Sequence, residues 1–363
     1  MTVHVPDIRI AQTQPQFQPS VPAGPSPPHP VAAEESAIRK FLLSKGNSAG
    51  ADRAFHVLMV LCALSIFAIV VLIAYELVMG SHLTWVKFGF KFFYQSFPSP
   101  YGEGRMYWDP LNGLFSALPF IFGTLVTSAI ALVIAIPLAI GLAIFLTEMC
   151  PRGMRAPLAF LTELLAAIPS IIYGVWAAFV LVPLLREHIN PLLTHWLGWT
   201  GLFMDDNPTG LGYLAGGTIL AIMILPIISS LSREVMIAVP HSQREAVLAL
   251  GATRWEMIRM GVLRNSRIGI VGAIILGLGR ALGETMAVTM VIGNTPEIHR
   301  SLLSNGTSMA AVIANEYAEA SGDMHYSALT EIGLALFMVT IIVNALAQLL
   351  MWAVTRGTPS QTR

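Results

Sequence analysis

The sequence predicts an all-α polytopic membrane protein of six transmembrane helices, and three observations carry that reading. Of its 363 residues 55% are hydrophobic and only 12% charged, against about 25% charged in an ordinary soluble domain. Six apolar runs reach the roughly 20 residues a helix needs to cross a hydrocarbon core about 30 Å thick. Polar and charged residues collect in the stretches between those runs.

Residues 1–40 form a separate compositional zone, with Pro6, Pro15, Pro19, Pro22, Pro25, Pro27, Pro28 and Pro30 among Gln, Ser and Ala. Such a segment buries too little apolar surface to offset chain entropy, so a disordered cytoplasmic tail without the apolar stretch of a signal peptide is expected. Residues 41–363 then make up the membrane domain. Its predicted spans are 55–79, 114–146, 156–185, 212–238, 268–293 and 328–354, with Pro137 and Pro169 as possible kinks in the second and third.

Orientation follows from Lys and Arg, which concentrate in cytoplasmic loops. Arg39, Lys40, Lys45 and Arg53 precede the first span, and Arg152 and Arg155 separate the second from the third. Arg233, Arg244, Arg254, Arg259, Arg264 and Arg267 crowd the connection between the fourth and fifth, and Arg356 follows the sixth. The alternate loops hold only Lys87, Lys91, Arg105, Arg186 and Arg300. Both termini are therefore expected in the cytoplasm. The external connections, about 80–113, 186–211 and 294–327, carry Trp85, Tyr94, Tyr107, Trp108, Trp196 and Trp199, which suit an interfacial aromatic belt.

Two features depart from this pattern. The cytoplasmic stretch 240–267 is too polar to span, yet Val247, Gly251, Trp255, Ile258 and Val262 recur at intervals of three or four beside Glu245, Arg254, Glu256 and Arg259. That periodicity predicts one amphipathic helix, fit to lie on lipid, pack on its own bundle or enter another protein's groove. In the fifth span, Arg280 and Glu284 stand one helical turn apart in an otherwise apolar run. Each full charge at a helix centre costs about 2.5–3.5 kcal/mol on insertion scales. They are expected either to pair with each other or to meet a polar pathway, and the two readings are compatible. Gly279 and Gly283 make a small-residue step on which a neighbouring helix would pack closely.

Glu245-Ala246-Val247, Gly251 and Leu263 resemble the EAA loop of ABC importer permeases, with Val247 where a second alanine is usual, Gly261 for isoleucine and Arg264 for proline. The resemblance implies a type I, MetI-like bundle in which Glu245, Ala246, Gly251, Trp255 and Leu263 belong to a coupling loop docked on a cytoplasmic ATPase. The following run, Gly277-Leu278-Gly279-Arg280-Ala281-Leu282-Gly283-Glu284-Thr285, is similar to the signature of the PstC phosphate permeases. So are Leu118-Pro119-Phe120, Phe145-Leu146-Thr147-Glu148 and Ile168-Pro169-Ser170-Ile171-Ile172-Tyr173-Gly174.

That family implies an inner-membrane subunit importing inorganic phosphate, with three partners: a homologous second permease (PstA-like), an ATPase dimer (PstB-like) and a phosphate-binding protein (PstS-like). Arg280, Glu284 and Thr285 are the expected substrate-path residues, since a guanidinium fork suits an oxyanion and a neighbouring carboxylate keeps the site from trapping it. The sequence holds no phosphate-binding G-x-x-x-x-G-K-[ST] loop, no metal-ligand spacing and no nucleophile elbow. A non-catalytic chain is expected, one that binds no cofactor while the partner uses ATP, with no nucleic-acid partner. A permease for molybdate or sulfate, or an ion-coupled secondary transporter, are the rival readings.

Overall fold

The computed structural model describes residues 48–98, 105–204 and 207–356. The proline-rich tail expected at 1–40 lies outside them. The chain divides into an N-terminal unit ending at Ile69 and a second unit from Val70 onward. The described part of the first is helical, and residues 50–69 are exposed throughout, as lipid-facing apolar side chains must be. The helix they open, α1, runs Ser48–Gly80.

The second unit continues with α2 (His82–Phe88), a two-residue hairpin pairing β1 (Phe97–Pro98) with β2 (Arg105–Met106), and the spanning helix α3 (Leu118–Met149). Then follow α4 (Arg152–Ala167), α5 (Ser170–Thr200), α6 (Tyr213–Ile237) and α7 (His241–Ala249). The remainder is α8 (Arg254–Leu282), α9 (Met286–Thr289), α10 (Met309–Glu316) and α11 (Asp323–Arg356). Six of these helices, α1, α3, α5, α6, α8 and α11, are long and apolar enough to cross a membrane, which agrees with the six predicted spans.

The third span is displaced from its predicted place at 156–185. Pro169 lacks an N–H and forces Ile168 out of the helical region, to φ −67° and ψ 130°, so the apolar run breaks into α4 and α5. The membrane helix starts at Ser170 and continues to Thr200, absorbing residues that the sequence assigned to an external loop. Helix α4 is a separate element with Met154, Phe160, Leu161 and Leu164 exposed on one side and Ala159 and Thr162 buried on the other.

The core is built around α6, the most buried span. Ala131, Ala135, Ala139 and Ala143 recur every four residues along α3, all fully buried, giving a smooth ridge on which α6 lies close. Gly217 of α6 completes the fit: a Cβ there would come within 2.5 Å of the Ile130 side chain. Helix α8 meets α6 through Gly269 and Gly277, where a Cβ would fall 2.4 Å from Val235 and 2.7 Å from Ile228.

The N-terminus of α6 is capped by the loop after α9. The Gly212, Tyr213 and Leu214 amides donate to the carbonyls of Val291, Ser304 and Leu302 at 3.0, 3.3 and 2.8 Å, satisfying N–H groups that have no partner within the helix. A second cluster joins the end of α2 to α10 and α11 around Phe92, Trp108, Phe115, Phe120, Met309 and Ile332. Trp108 is buried there, its Nε1 donating to Glu316 at 2.9 Å, and so is no belt residue. Trp196 and Trp199 stay exposed, as a belt requires.

Candidate functional site

The charged turn of the fifth span differs from the regular helix predicted for 268–293. Helix α8 ends at Leu282 with Gly283 as its cap, residues 283–285 are non-helical, and α9 restarts at Met286. Counted from Ile268, where the sequence starts the span, Arg280 is twelve residues along, about 18 Å of helix at 1.5 Å per residue, a depth expected to lie inside a core about 30 Å thick. Unwound backbone is sustained at that depth only where protein buries it or where it lines a wet cavity.

Unwinding also separates the two charges. The spacing of four that would stack Arg280 and Glu284 on one helical face holds only while the helix continues; past Gly283 the carboxylate leaves that face, and no ion pair joins the two. Arg280 is exposed, Glu284 and Thr285 half-buried. Glu284 Oε1 accepts a long hydrogen bond from the Ala287 amide, 3.5 Å, and the Thr285 hydroxyl donates to the Gly283 carbonyl at 3.4 Å. The intrahelical salt bridge is therefore absent, leaving the guanidinium without a carboxylate partner among the described residues.

The turn is held from α5. A Cβ on Gly174 would lie 2.9 Å from Met290 Sδ and 3.0 Å from Ala287 Cα, so α9 rests directly on the first turn of α5. The Tyr173 hydroxyl donates to the Leu165 carbonyl at 2.8 Å, tying the start of α5 back to α4. Two sequence segments more than a hundred residues apart, the start of α5 at Gly174 and the α9 segment from Met286 to Met290 that follows the charged turn, thus pack directly on one another.

The packing predicted at Gly279 and Gly283 is not made among the described residues. Among the described residues, no atom of another element lies within 4 Å of a Cβ placed on Gly279, and Gly283 faces the Gly279 carbonyl at 3.8 Å. The close contacts to α6 are at Gly269 and Gly277, where the Val235 and Ile228 side chains occupy the space a Cβ would need.

At the other end of α8 the predicted single amphipathic helix over 240–267 is two helices. Gly251, at φ +82°, turns the chain between α7 and α8 in a conformation that glycine adopts readily. Thr253 and Glu256 then form a capping box, the Glu256 amide donating to Thr253 Oγ1 at 3.3 Å and the Thr253 amide to Glu256 Oε2 at 2.8 Å. The apolar stripe divides accordingly. Ile258 and Val262 enter a cluster with Met236, Val239 and Ile270, and Leu263 packs on its edge. Glu245, Ala246, Leu248, Leu250, Gly251 and Trp255 are exposed. Val247 lies against Gly261, whose Cβ position is 3.5 Å from Val247 Cγ2, so the larger residue at one position fills the space vacated at the other.

A further attachment of α7 becomes visible only in the folded chain. Arg244 binds Glu148 at 3.1 Å with both side chains about nine-tenths buried, and also donates to the Met236 carbonyl at 2.8 Å. This ion pair fastens α7 to the end of α3. Asn265 adds a second tie, donating to Gln243 Oε1 at 2.8 Å. The signal in the sequence was a lone Glu closing an apolar run and an Arg preceding Glu245, but pairing across nearly a hundred residues needs the fold.

Known proteins agree with this architecture. The family model of the binding-protein-dependent transport system inner membrane component matches residues 113–358. The phosphate transport system permease protein PstC of Haemophilus influenzae is 44% identical over 307 residues, covering 84% of this chain and 94% of the relative. That of Mesorhizobium japonicum is 41% identical, covering 90% and 96%. Among solved structures, a chain of a bacterial ABC transporter that imports the acidic polysaccharide alginate superposes with a TM-score of 0.51, covering 89% of this chain and 99% of that one. At 17% identity that likeness concerns the fold alone. The chain belongs to the binding-protein-dependent transport permeases and, within them, to the PstC family.

Proposed function

We infer that this chain is the membrane permease subunit of an ATP-driven inorganic phosphate importer. The observation that carries the mechanism is a continuous helix: α8 stays helical from the capped turn beside α7, through a π-helical stretch at Met257–Leu263, to the charged break at Gly283. At 1.5 Å per residue its 29 residues make a rod about 43 Å long. A displacement applied at the exposed α7 face is delivered to Arg280, Glu284 and Thr285 at the far end.

The exposed face of α7, with Glu245, Ala246, Leu248 and Trp255 nearby, is the surface for a cytoplasmic ATPase dimer, and the termini lie on that same side. The external loops receive a phosphate-binding protein, and a second permease of the same family completes the pathway. Arg280 meets the anion with a planar donor fork, while the nearby Glu284 carboxylate limits how long it stays. This chain contributes binding, orientation and movement; bond breaking belongs to the ATPase.

The test is phosphate uptake by Arg280→Gln and Glu284→Gln transporters. Arg280→Gln is expected to lower uptake at least tenfold with the complex still assembled. Glu284→Gln is expected to retain bound phosphate longer and transport more slowly. Normal uptake by both variants removes the turn from the pathway, and competition by sulfate or molybdate as effective as by unlabelled phosphate overturns selectivity for phosphate over other oxyanions.

A further inference from the structure

A cytoplasmic cavity of about 600 Å³ lies between the start of α4, the end of α3 and the α7–α8 turn. Its charged lining is Glu148, Arg152, Arg155, Arg244, Glu245 and Arg254. Four guanidinium groups face two carboxylates, and only Glu148 is engaged by one of them, Arg244. Arg152 and Arg254 are exposed and without a carboxylate partner among the described residues. The Arg155 and Arg244 Nε groups are buried inside the protein with no acceptor. Arg155 spends its Nη2 on the Thr147 carbonyl at 2.6 Å, which fixes the side chain at the cavity wall.

Guanidinium groups gathered around one cavity repel each other, and buried N–H groups without acceptors are costly. A multivalent oxyanion relieves the repulsion among the guanidinium groups that line the cavity, because guanidinium forks match the oxygen geometry of a phosphoryl group. We propose that this cavity binds a phosphate-type oxyanion, either free inorganic phosphate on the cytoplasmic side or the phosphodiester of an anionic lipid. The ligand bridges Arg152 and Arg155 of α4 to Arg244 and Arg254 of the α7–α8 region. Its occupancy ties the α7 helix to α4, and competition with Glu148 for Arg244 adjusts the grip of α7 on α3. With free phosphate as the ligand, the imported product restrains the helix whose movement drives import.

Native mass spectrometry of the complete, nucleotide-free transporter tests this, because phosphate and lipid adducts differ in mass. All proteins compared carry Arg280→Gln, so binding at the charged turn does not enter and the outcome is independent of that pathway. Titration with inorganic phosphate, and separately with phosphatidylglycerol against phosphatidylcholine, is compared with and without Arg152→Gln plus Arg254→Gln. A phosphate adduct weakened at least tenfold by the double substitution identifies the free anion. A phosphatidylglycerol adduct lost in the same variant identifies the lipid. Glu245→Gln, which removes a carboxylate from the lining, is expected to strengthen whichever adduct is found. Adducts unchanged by the arginine substitutions, or weakened by Glu245→Gln, overturn the proposal.

Discussion

Arg244 and Glu148 illustrate how the setting of an ion pair decides its weight. Their side chains are 12% and 10% exposed, so removing one partner strands the other charge in a poorly solvated place, at a cost of about 3–5 kcal/mol. Arg233 and Glu163 are a similar distance apart, 3.2 Å, but Glu163 is 56% exposed, and pairs of that kind contribute about 0–1 kcal/mol. Glu148→Ala is therefore expected to lower the thermal midpoint of the purified permease by several degrees more than Glu163→Ala. Equal shifts would show that the buried pair carries no special weight.

Glycines separate in the same way by what surrounds them. A methyl on Gly269 meets stiff, β-branched Val235 at 2.4 Å, so Gly269→Ala is expected to destabilise by about 1–3 kcal/mol. Gly279 faces open space inside this chain, and Gly279→Ala gains helix propensity of about 0.5–1 kcal/mol. Detergent-resistance assays on the two variants should move in opposite directions. Failure of Gly279→Ala to co-purify with the second permease would instead place this glycine in the contact between subunits.

Among the elements, the α7–α8 turn is the joint between the docking surface and the rod. Gly251 sits at φ +82°, where a side chain costs about 1–2 kcal/mol, and more for a β-branched one. Gly251→Val is expected to leave α3, α6 and α8 packed while misdirecting α7, so that ATP hydrolysis and phosphate uptake become uncoupled. Uptake measured against hydrolysis in reconstituted vesicles reads this directly, and an unchanged ratio would mean that the turn transmits nothing. Sequence periodicity makes 240–267 one helix because Gly251 falls on the apolar stripe at the right interval. Interval alone does not encode the sign of φ.

The same limitation acts at Gly283 and Pro169. Composition makes 268–293 and 156–185 look like uninterrupted spans, since hydropathy averages over residues and is insensitive to a local break. Pro169 was legible as a possible kink, yet its consequence, a separate α4 and a span displaced to Ser170–Thr200, depended on where α5 finds packing on α6 and α9. Of the candidate residues, Arg280, Glu284 and Thr285 do gather at one turn, but as an unwound and unpaired site instead of a helical ion pair.

Across the whole molecule, orientation rests on the distribution of Arg and Lys, with both termini and α7 assigned to the cytoplasm. Single cysteines introduced at Ala246 and Thr209, in a background lacking Cys62 and Cys150, provide the check. A membrane-impermeant maleimide added to intact spheroplasts is expected to label the cysteine at position 209 and to reach position 246 only in inverted vesicles. The reverse pattern would invert the topology.

Segregation of apolar from polar residues fixed the number of spans, and the charge imbalance between loops predicted their direction, because insertion free energy is close to a sum over residues. The motifs pointed to the family and to the two places where function concentrates. Only the tertiary structure decided that Gly269 and Gly277 are the packing glycines, that Glu148 anchors α7, and that Arg280 and Glu284 part company. Those outcomes depend on which face of each helix meets a neighbour and on where a backbone break becomes sustainable, and both are properties of the packed bundle that no single segment contains.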